Sequence, residues 1–364
     1  MEGVGVMSFW RGKRVFVTGH TGFKGSWLCL WLQSMGASVV GYALKPPTEP
    51  NLFTLADVQR DMISIEGDIR DREHLLDSIK KYKPEVILHF AAQALVRKSY
   101  KNPLETFETN VMGTVYLLDA LRYIDGIKVV INVTSDKCYE NKELTRGYRE
   151  DDPLGGYDPY SSSKGCAELV TAAFRSSYFN PELYEKHGVA MATVRAGNVI
   201  GGGDWAEDRL IPDIMRAIFR KQPVYLRNPH TIRPWQHVLD PLNGYLLLAE
   251  KLWDNGNEFS GAWNFGPSDD DTRSVGELTQ QLTEIWGKGA KWISDEGEHL
   301  HEANYLKLDC SKARQRLGWK TNLTLSETLH WVAEWYKAYA ENKDIQTMTL
   351  NQIERYEQLS KEQI

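Results

Sequence analysis

The 364 residues carry a formal net charge of −6, with no long run of either sign, so the chain lacks the basic footprint of a nucleic-acid binder. A content of 42% hydrophobic and 25% charged residues is that of a folded protein with a sizeable core, and excludes a disordered chain. No apolar run approaches the roughly 18 to 20 residues that span a bilayer, and the start, Met-Glu-Gly-Val-Gly-Val-Met-Ser, has no secretion signal, so no membrane partner is expected and the cytoplasm is the expected location. Cys29, Cys138, Cys166 and Cys310 are scattered without metal-type spacing, which reads as reduced thiols and no metal site.

A β-branched and aromatic run from Lys13 ends in glycines at 19, 22 and 25, and Trp27, Leu28, Leu30, Trp31 and Leu32 follow at helical spacing. That is strand, tight turn, helix. Gly19 permits the turn, Gly22 lets backbone approach a diphosphate, and Gly25 lets helix and strand pack closely, with the phosphate at the helix N-terminus. A plain glycine-rich turn is the alternative. Strands are then expected at Ala37–Ala43, Met62–Glu66, Val86–Phe90, Lys128–Thr134 and Val189–Arg195, with helices at Asp71–Lys81, Pro103–Tyr123 and Tyr157–Tyr178. Alternation at this spacing predicts an α/β fold, a Rossmann-type doubly wound parallel sheet. The periodicity weakens after about residue 197, where glycine- and proline-rich loops separate short elements, so a smaller C-terminal α/β substrate domain is expected. The division is 1–197 for the cofactor domain, 198–345 mainly for substrate with some segments returning to the sheet, and 346–364 as a polar tail that forms a peripheral helix or frays.

Tyr160 and Lys164 stand four apart, on one face of a helix. A lysine near a tyrosine favours the phenolate, which can take a proton from a hydroxyl as hydride leaves. An isolated match of this kind is ordinary on solvated helices. Here it follows a glycine fingerprint, and a strand ending in Val133-Thr134-Ser135 precedes it, offering a hydroxyl for the reacting oxygen. Glycines, Ser135, Tyr160 and Lys164 in this order resemble the extended short-chain dehydrogenase/reductases.

Within that family Thr134-Ser135-Asp136-Lys137 separates the chemistries. Sugar-nucleotide 4-epimerases need only the Ser/Thr, Tyr and Lys group. Nucleotide-sugar 4,6-dehydratases also need an acid for the departing hydroxyl of carbon 6 and a base for the carbon 5 proton. Asp136 matches the acid of the dTDP-glucose enzymes, and Lys137 stands where their Glu would be. Ser-Asp-Lys here, the opening Gly-His-Thr-Gly-Phe-Lys-Gly and the segment Gly-Tyr-Ala-Leu-Lys-Pro-Pro from Gly41 are similar to the CDP-glucose 4,6-dehydratase family over nearly the whole chain. The resemblance implies CDP-glucose as substrate, NAD as cofactor, 4,6-dehydration as the reaction (a lyase of deoxysugar and O-antigen biosynthesis) and a homodimer. The dimer would pair the Tyr160 helix with the helix from Pro103, through Val111, Val115, Leu118, Leu169, Val170 and Ala173, although those residues could instead pack on the sheet. Rival readings are a dTDP-glucose or GDP-mannose dehydratase, a 4-epimerase, and a non-catalytic nucleotide binder. An ordinary lysine is protonated at neutral pH, so Lys137 as base requires a dry site beside the second cation Lys164; orienting Asp136 or stabilising an enolate-like intermediate are the alternatives.

For the cofactor the resemblance implies Gly19, Thr21, Gly22, Phe23, Lys24 and Gly25, with Asp68 and Ile69 at the adenine, Phe90, Ala91 and Ala92 where small residues let it lie close, and Tyr160 and Lys164 as contacts as well as catalysts. The second strand lacks the acidic residue that usually grips the ribose, and Lys45 nearby could instead favour a 2′-phosphate. Gln93 is expected to reach the sugar, and Asn198, Arg209 and Arg233 the substrate diphosphate, since the guanidinium fork suits phosphate oxygens. Asn110 is read as structural or ribose-proximal, and His237 as a structural hydrogen bonder.

Overall fold

Alternate residues of the central strands go to opposite sides of one sheet: Val15, Val17, Leu88 and Ile131 join one buried cluster, while Phe16, Ile87, Val130 and Met191 join the other. This period of two, with both faces apolar, is what a parallel sheet covered by helices requires. The computed structural model describes residues 9–268, 271–287, 289–295 and 306–362. The seven strands of its central sheet are β1 (Arg14–Thr18), β2 (Ser38–Ala43), β3 (Ile63–Glu66), β4 (Val86–His89), β5 (Val129–Val133), β6 (Ala190–Arg195) and β7 (Gly261–Asn264), in the order β7-β6-β5-β4-β1-β2-β3. All are parallel, and Thr18 pairs with His89 so that the ends of β1 and β4 are level. The chain winds outward from β1 to β3 and then returns to the other side of β1, so the crevice between β1 and β4 is the topological switch point where ligands of such sheets bind.

Short side chains set the helix boundaries. The helix expected from Tyr157 begins at Pro159, because the Asp158 carboxylate accepts the Ser161 N–H at 2.9 Å and proline suits the first turn. Asp71 caps the Arg72–Tyr82 helix in the same way through His74. The helix from Pro103 is interrupted by a π turn at Glu108–Met112 before continuing as Gly113–Leu121. Asn110 sits in that turn and its side chain binds the Gln93 backbone at both N–H and C=O, a structural use.

After residue 197 the chain forms two-stranded ladders: Val199–Ile200 with Gln236–His237, Ile232–Pro234 with Thr272–Ser274, and Val224–Leu226 with Trp292–Ser294. The helix Leu239–Asp254 and β7 belong to the main sheet's packing. Residues 346–362 are helical. They form most of the helix Ile345–Glu362, docked where Trp31 donates to Glu357 at 2.7 Å and Tyr356 donates to Asp240 at 2.8 Å. The glycine-loop helix, Phe23–Ser34, is thus pinned to the C-terminal helix, and also to the substrate lobe, where Trp27 donates to the Gly202 carbonyl at 2.9 Å.

Candidate active site

At the end of β1, Gly19 adopts φ +76°, and a Cβ on it would lie 2.7 Å from the Ala91 nitrogen. A Cβ on Gly25 would lie 2.2 Å from the Gly19 carbonyl oxygen, so both positions exclude any side chain. Gly22 differs. A Cβ there would meet only the Gly19 oxygen at 3.4 Å, and the helix that starts here has no side-chain cap, leaving its first N–H groups for an anion. The cradle fits a dinucleotide diphosphate. Thr21 closes it by donating to the Leu44 carbonyl at 2.8 Å. The opposite wall is the β4 end, where the Phe90 and Ala91 N–H groups both donate to Thr18 Oγ1 at 3.1 Å, with half-buried Ala92 next.

Along the edge strands, the Asp68 carboxylate pairs with Arg70 at 2.6 Å and its carbonyl accepts from Tyr42 at 3.0 Å, while Ile69 is buried against Gly113. Lys45 faces Glu66 at 3.8 Å. Gln93 departs from its expected role: its carboxamide donates to Leu95 and Thr106 and accepts from the Leu95 N–H, so it is spent on the fold and not directed at a sugar.

The reactive group forms where β5 ends. Ser135 is extended and begins the short turn Asp136–Cys138, and its hydroxyl donates to Asp136 Oδ1 at 2.9 Å while accepting the Lys137 N–H at 3.2 Å. The Asp136 carboxylate is seated on Gly197, where a Cβ would lie 1.8 Å from Oδ2. Lys137 is half-buried beside it. The Tyr160 helix crosses this turn, held by Tyr160 N–H donating to Ser99 Oγ at 3.1 Å. Burial pushes the Tyr160 phenol up to about 12, and the Ser135 hydroxyl is the first group to oppose it. Lys164 donates instead to the Val133 carbonyl at 3.3 Å, and burial draws its ammonium down to about 8 against the pull of Glu168.

Lys24 enters the same charge cluster: burial first, then the Arg209 guanidinium and Lys164, draw it down to about 8 against Asp136 and Asp204. Arg209 pairs with Asp204 at 3.0 Å. Asn198 takes φ +49° at the turn into the substrate lobe. A small cavity beside Asp136 is lined by Gly197, Pro234, Gly266 and Leu308, so the ladder that carries Arg233 forms one wall. On that ladder Arg233 stands directly opposite Arg273 in the antiparallel register. His237 is neutral, drawn down to about 3 by burial, and accepts the Leu239 N–H at 3.3 Å as a structural group.

Sequence reasoning missed the support beneath the site. Glu168 and Arg195 form a buried pair at 2.8 Å, and Glu168 also accepts from Thr134 at 2.5 Å and Thr193 at 2.7 Å. Burial alone would raise the Glu168 carboxyl, but Arg195 and the two hydroxyls hold it below its ordinary value. Breaking such a pair costs about 3 to 5 kcal/mol, which makes the β5 terminus rigid. The signal was present as Tyr160, Lys164 and Glu168, one helical stripe at spacing four.

The model of the family described as GDP-mannose 4,6 dehydratase matches residues 16–331. The chain is 56% identical over 349 residues to a CDP-glucose 4,6-dehydratase of Salmonella typhimurium, covering 96% of this chain and 97% of that protein. It is 29% identical to a UDP-glucose 4-epimerase of Halalkalibacterium halodurans, over 91% of this chain and 99% of the relative. Among solved structures, a UDP-glucose 4-epimerase from Brucella ovis in complex with NAD superposes with a TM-score of 0.73 at 25% identity, covering 89% of this chain and 98% of that one. Glycine cradle, acid and tyrosine converge at one switch point in a chain matched along nearly its whole length, and the chain belongs to the GDP-mannose 4,6 dehydratase family.

Proposed function

We propose that the protein binds NAD and converts CDP-glucose to CDP-4-keto-6-deoxyglucose and water. The carrying observation is Asp136, a carboxylate buried on Gly197 and bonded to Ser135 beside Tyr160: a 4-epimerase has no need of an acid there, whereas expulsion of the carbon 6 hydroxyl does. The 56% identity to a CDP-glucose 4,6-dehydratase supports the cytosine nucleotide over dTDP-glucose or GDP-mannose.

When bound, NAD supplies the hydride acceptor for carbon 4 and the donor for carbon 6. The uncapped helix start at Gly22 to Lys24 holds its diphosphate, and Phe90, Ala91 and Ala92 wall the crevice. Asp68 and Ile69 lie at the adenine end. Ser135 fixes the carbon 4 hydroxyl and Tyr160 takes its proton, with Lys164 favouring the phenolate. The new ketone acidifies carbon 5. Lys137 takes that proton, and Asp136 protonates the departing hydroxyl. Arg209, Arg233 and Asn198 hold the substrate diphosphate, so residues 1–197 serve mainly NAD and 198–345 mainly the nucleotide sugar. All four cysteines are free, which suits a reducing cytoplasm. The assembly we infer is a homodimer through the Tyr160 helix and the adjoining helices from Pro103, on which Leu169 is 59% and Leu104 71% exposed. Incubation with NAD and each of CDP-glucose, dTDP-glucose, GDP-mannose and UDP-glucose tests the activity: a 4-keto-6-deoxy product from CDP-glucose alone is expected, and a C4 epimer or no product overturns it.

A further inference from the structure

We propose that Glu66, at the end of β3, selects NAD over NADP by presenting to the adenosine ribose the carboxylate that β2 lacks, an inference that rests on NAD as the cofactor. NADP differs from NAD by a phosphate ester on the 2′-hydroxyl of that ribose. In sheets of this kind an Asp or Glu following the second strand accepts hydrogen bonds from the ribose hydroxyl, whereas a nearby cation accommodates the 2′-phosphate. β2 ends at Ala43 and runs on into Leu44 and Lys45. Taken by itself that is a neutral residue followed by a cation, the pattern that suits NADP.

The parallel register supplies the missing acid from the neighbouring strand. Ala43 pairs directly with Glu66, and paired residues project from the same face of a sheet. Alternation along the strands identifies that face. Tyr42 and Ile65 pack with Leu75 and Ile79 on one side, while Val39 packs with Trp27 and Leu28 of the glycine-loop helix on the other, the side that Ala43 and Glu66 share. Ser64, two residues before Glu66, meets His20 of the glycine loop on this side at 2.7 Å, and Thr21 ties the loop to the Leu44 carbonyl at 2.8 Å. A ribose attached to a diphosphate in that loop therefore comes to lie over the ends of β2 and β3. The Ala43 methyl leaves space there, and a glutamate, one methylene longer than an aspartate, makes up part of the roughly 4.8 Å step between strands. The Glu66 side chain is 65% exposed, and Lys45 stands 3.8 Å away, near enough to offset its charge but beyond hydrogen-bond distance, so this contact leaves the carboxylate's lone pairs to hydroxyls. The same pairing turns Lys45 away from the task of binding a phosphate. Next along the edge, Arg70 holds Asp68 at 2.6 Å and Glu108 at 3.5 Å. Two cations thus face three carboxylates across this corner, a balance that repels a 2′-phosphate.

Titration of the purified protein with NAD and with NADP, followed by quenching of its tryptophan fluorescence in the absence of substrate, tests the assignment. Wild type should bind NAD at least about tenfold more tightly than NADP, the scale of one charge-assisted hydrogen bond. Glu66→Gln keeps the shape of the side chain and removes its charge. It should bind NAD several-fold more weakly and NADP about tenfold more tightly than wild type, because Lys45 is released to the 2′-phosphate. Adding Lys45→Ala to Glu66→Gln should abolish the gain for NADP and leave NAD binding where Glu66→Gln set it. The opposite signs are the decisive readout, since a purely structural Glu66 would move both dinucleotides in one direction. Equal weakening of both, an unchanged preference in Glu66→Gln, or a wild type that prefers NADP would overturn the role of Glu66. Wild type that binds neither dinucleotide would overturn the cofactor itself.

Discussion

Asp136 owes its position to a residue that has no side chain. With a Cβ at position 197 only 1.8 Å from Oδ2, Gly197→Ala must displace the carboxylate or the strand end, and the Ser135 bond with it. Dehydration by Gly197→Ala should fall about 100-fold or more, the scale of losing a positioned acid, while NAD binding, measured by fluorescence quenching, stays near wild type. Loss of both together would mean that the substitution unfolds the site. Lys137 answers to a separate measurement. Lys137→Ala leaves Ser135, Tyr160 and Lys164 in place, so the first hydride transfer should persist as bound NADH absorbance, while exchange of the carbon 5 hydrogen with solvent deuterium falls in step with dehydration. Undiminished exchange would remove Lys137 as the base. At this scale the convergence of Ser135, Asp136, Tyr160 and Lys164 at the β5 terminus was legible because their order along the chain follows the order of the strands and helices that carry them. Gln93 was not, because a buried amide beside a crevice reads the same whether it faces ligand or fold. Its partners Leu95 and Thr106 decide the matter only in three dimensions.

Asp240, in the first turn of the Leu239–Asp254 helix, ties three elements together: its Oδ1 accepts from the Asn322 N–H and from the Tyr356 hydroxyl, each at 2.8 Å. Burial pushes this carboxyl up to about 7, against the opposing pull of Asn322 and Tyr356. An unfolded aspartate titrates near about 3.9, so between that value and the folded one the native state binds the proton and the unfolded chain does not. The resulting stability is fully present below the unfolded value and is lost as pH rises through about 7. Asp240→Asn keeps an acceptor for both donors and removes the titration. Thermal melts from pH 5 to 8 should therefore show wild type losing stability relative to Asp240→Asn, and parallel curves would refute the assignment. Tyr356 also shows why the last helix was illegible as a packed element. Its inward stripe, Ile345, Thr349, Gln352, Ile353 and Tyr356, is interrupted by polar groups, and Thr349, Gln352 and the Tyr356 hydroxyl are buried because Trp335, Trp331 and Asp240 bond them. Hydropathy alone reads such a stripe as solvated.

For the whole molecule, six of the seven sheet strands are local in sequence and alternate with helices, which is why the sheet could be read from periodicity. β7 is separated from β6 by the 65 residues between Arg195 and Gly261, which hold most of the substrate-lobe ladder strands, and those strands of two or three residues are too short to carry a period. The proposed dimer lies at the same scale, and packing divides its expected surface. Leu118 is fully buried and Val170 packs against the same cluster beneath the sheet, so these two serve the monomer. Leu104, Met112 and Leu169, at 71%, 40% and 59% exposure, remain on the outer side of helices that pack against each other. If two copies meet at these helices, each such side chain buried there contributes about 1.5 to 3 kcal/mol of apolar transfer energy. Sedimentation equilibrium at micromolar concentration should return twice the 41.6 kDa chain mass for wild type. Leu104→Glu combined with Leu169→Glu places carboxylates where two copies would meet and should return the monomer mass, with the circular dichroism spectrum unchanged because neither side chain supports the core. A wild-type monomer, or a dimer that survives both charges, would rule out these helices as the interface.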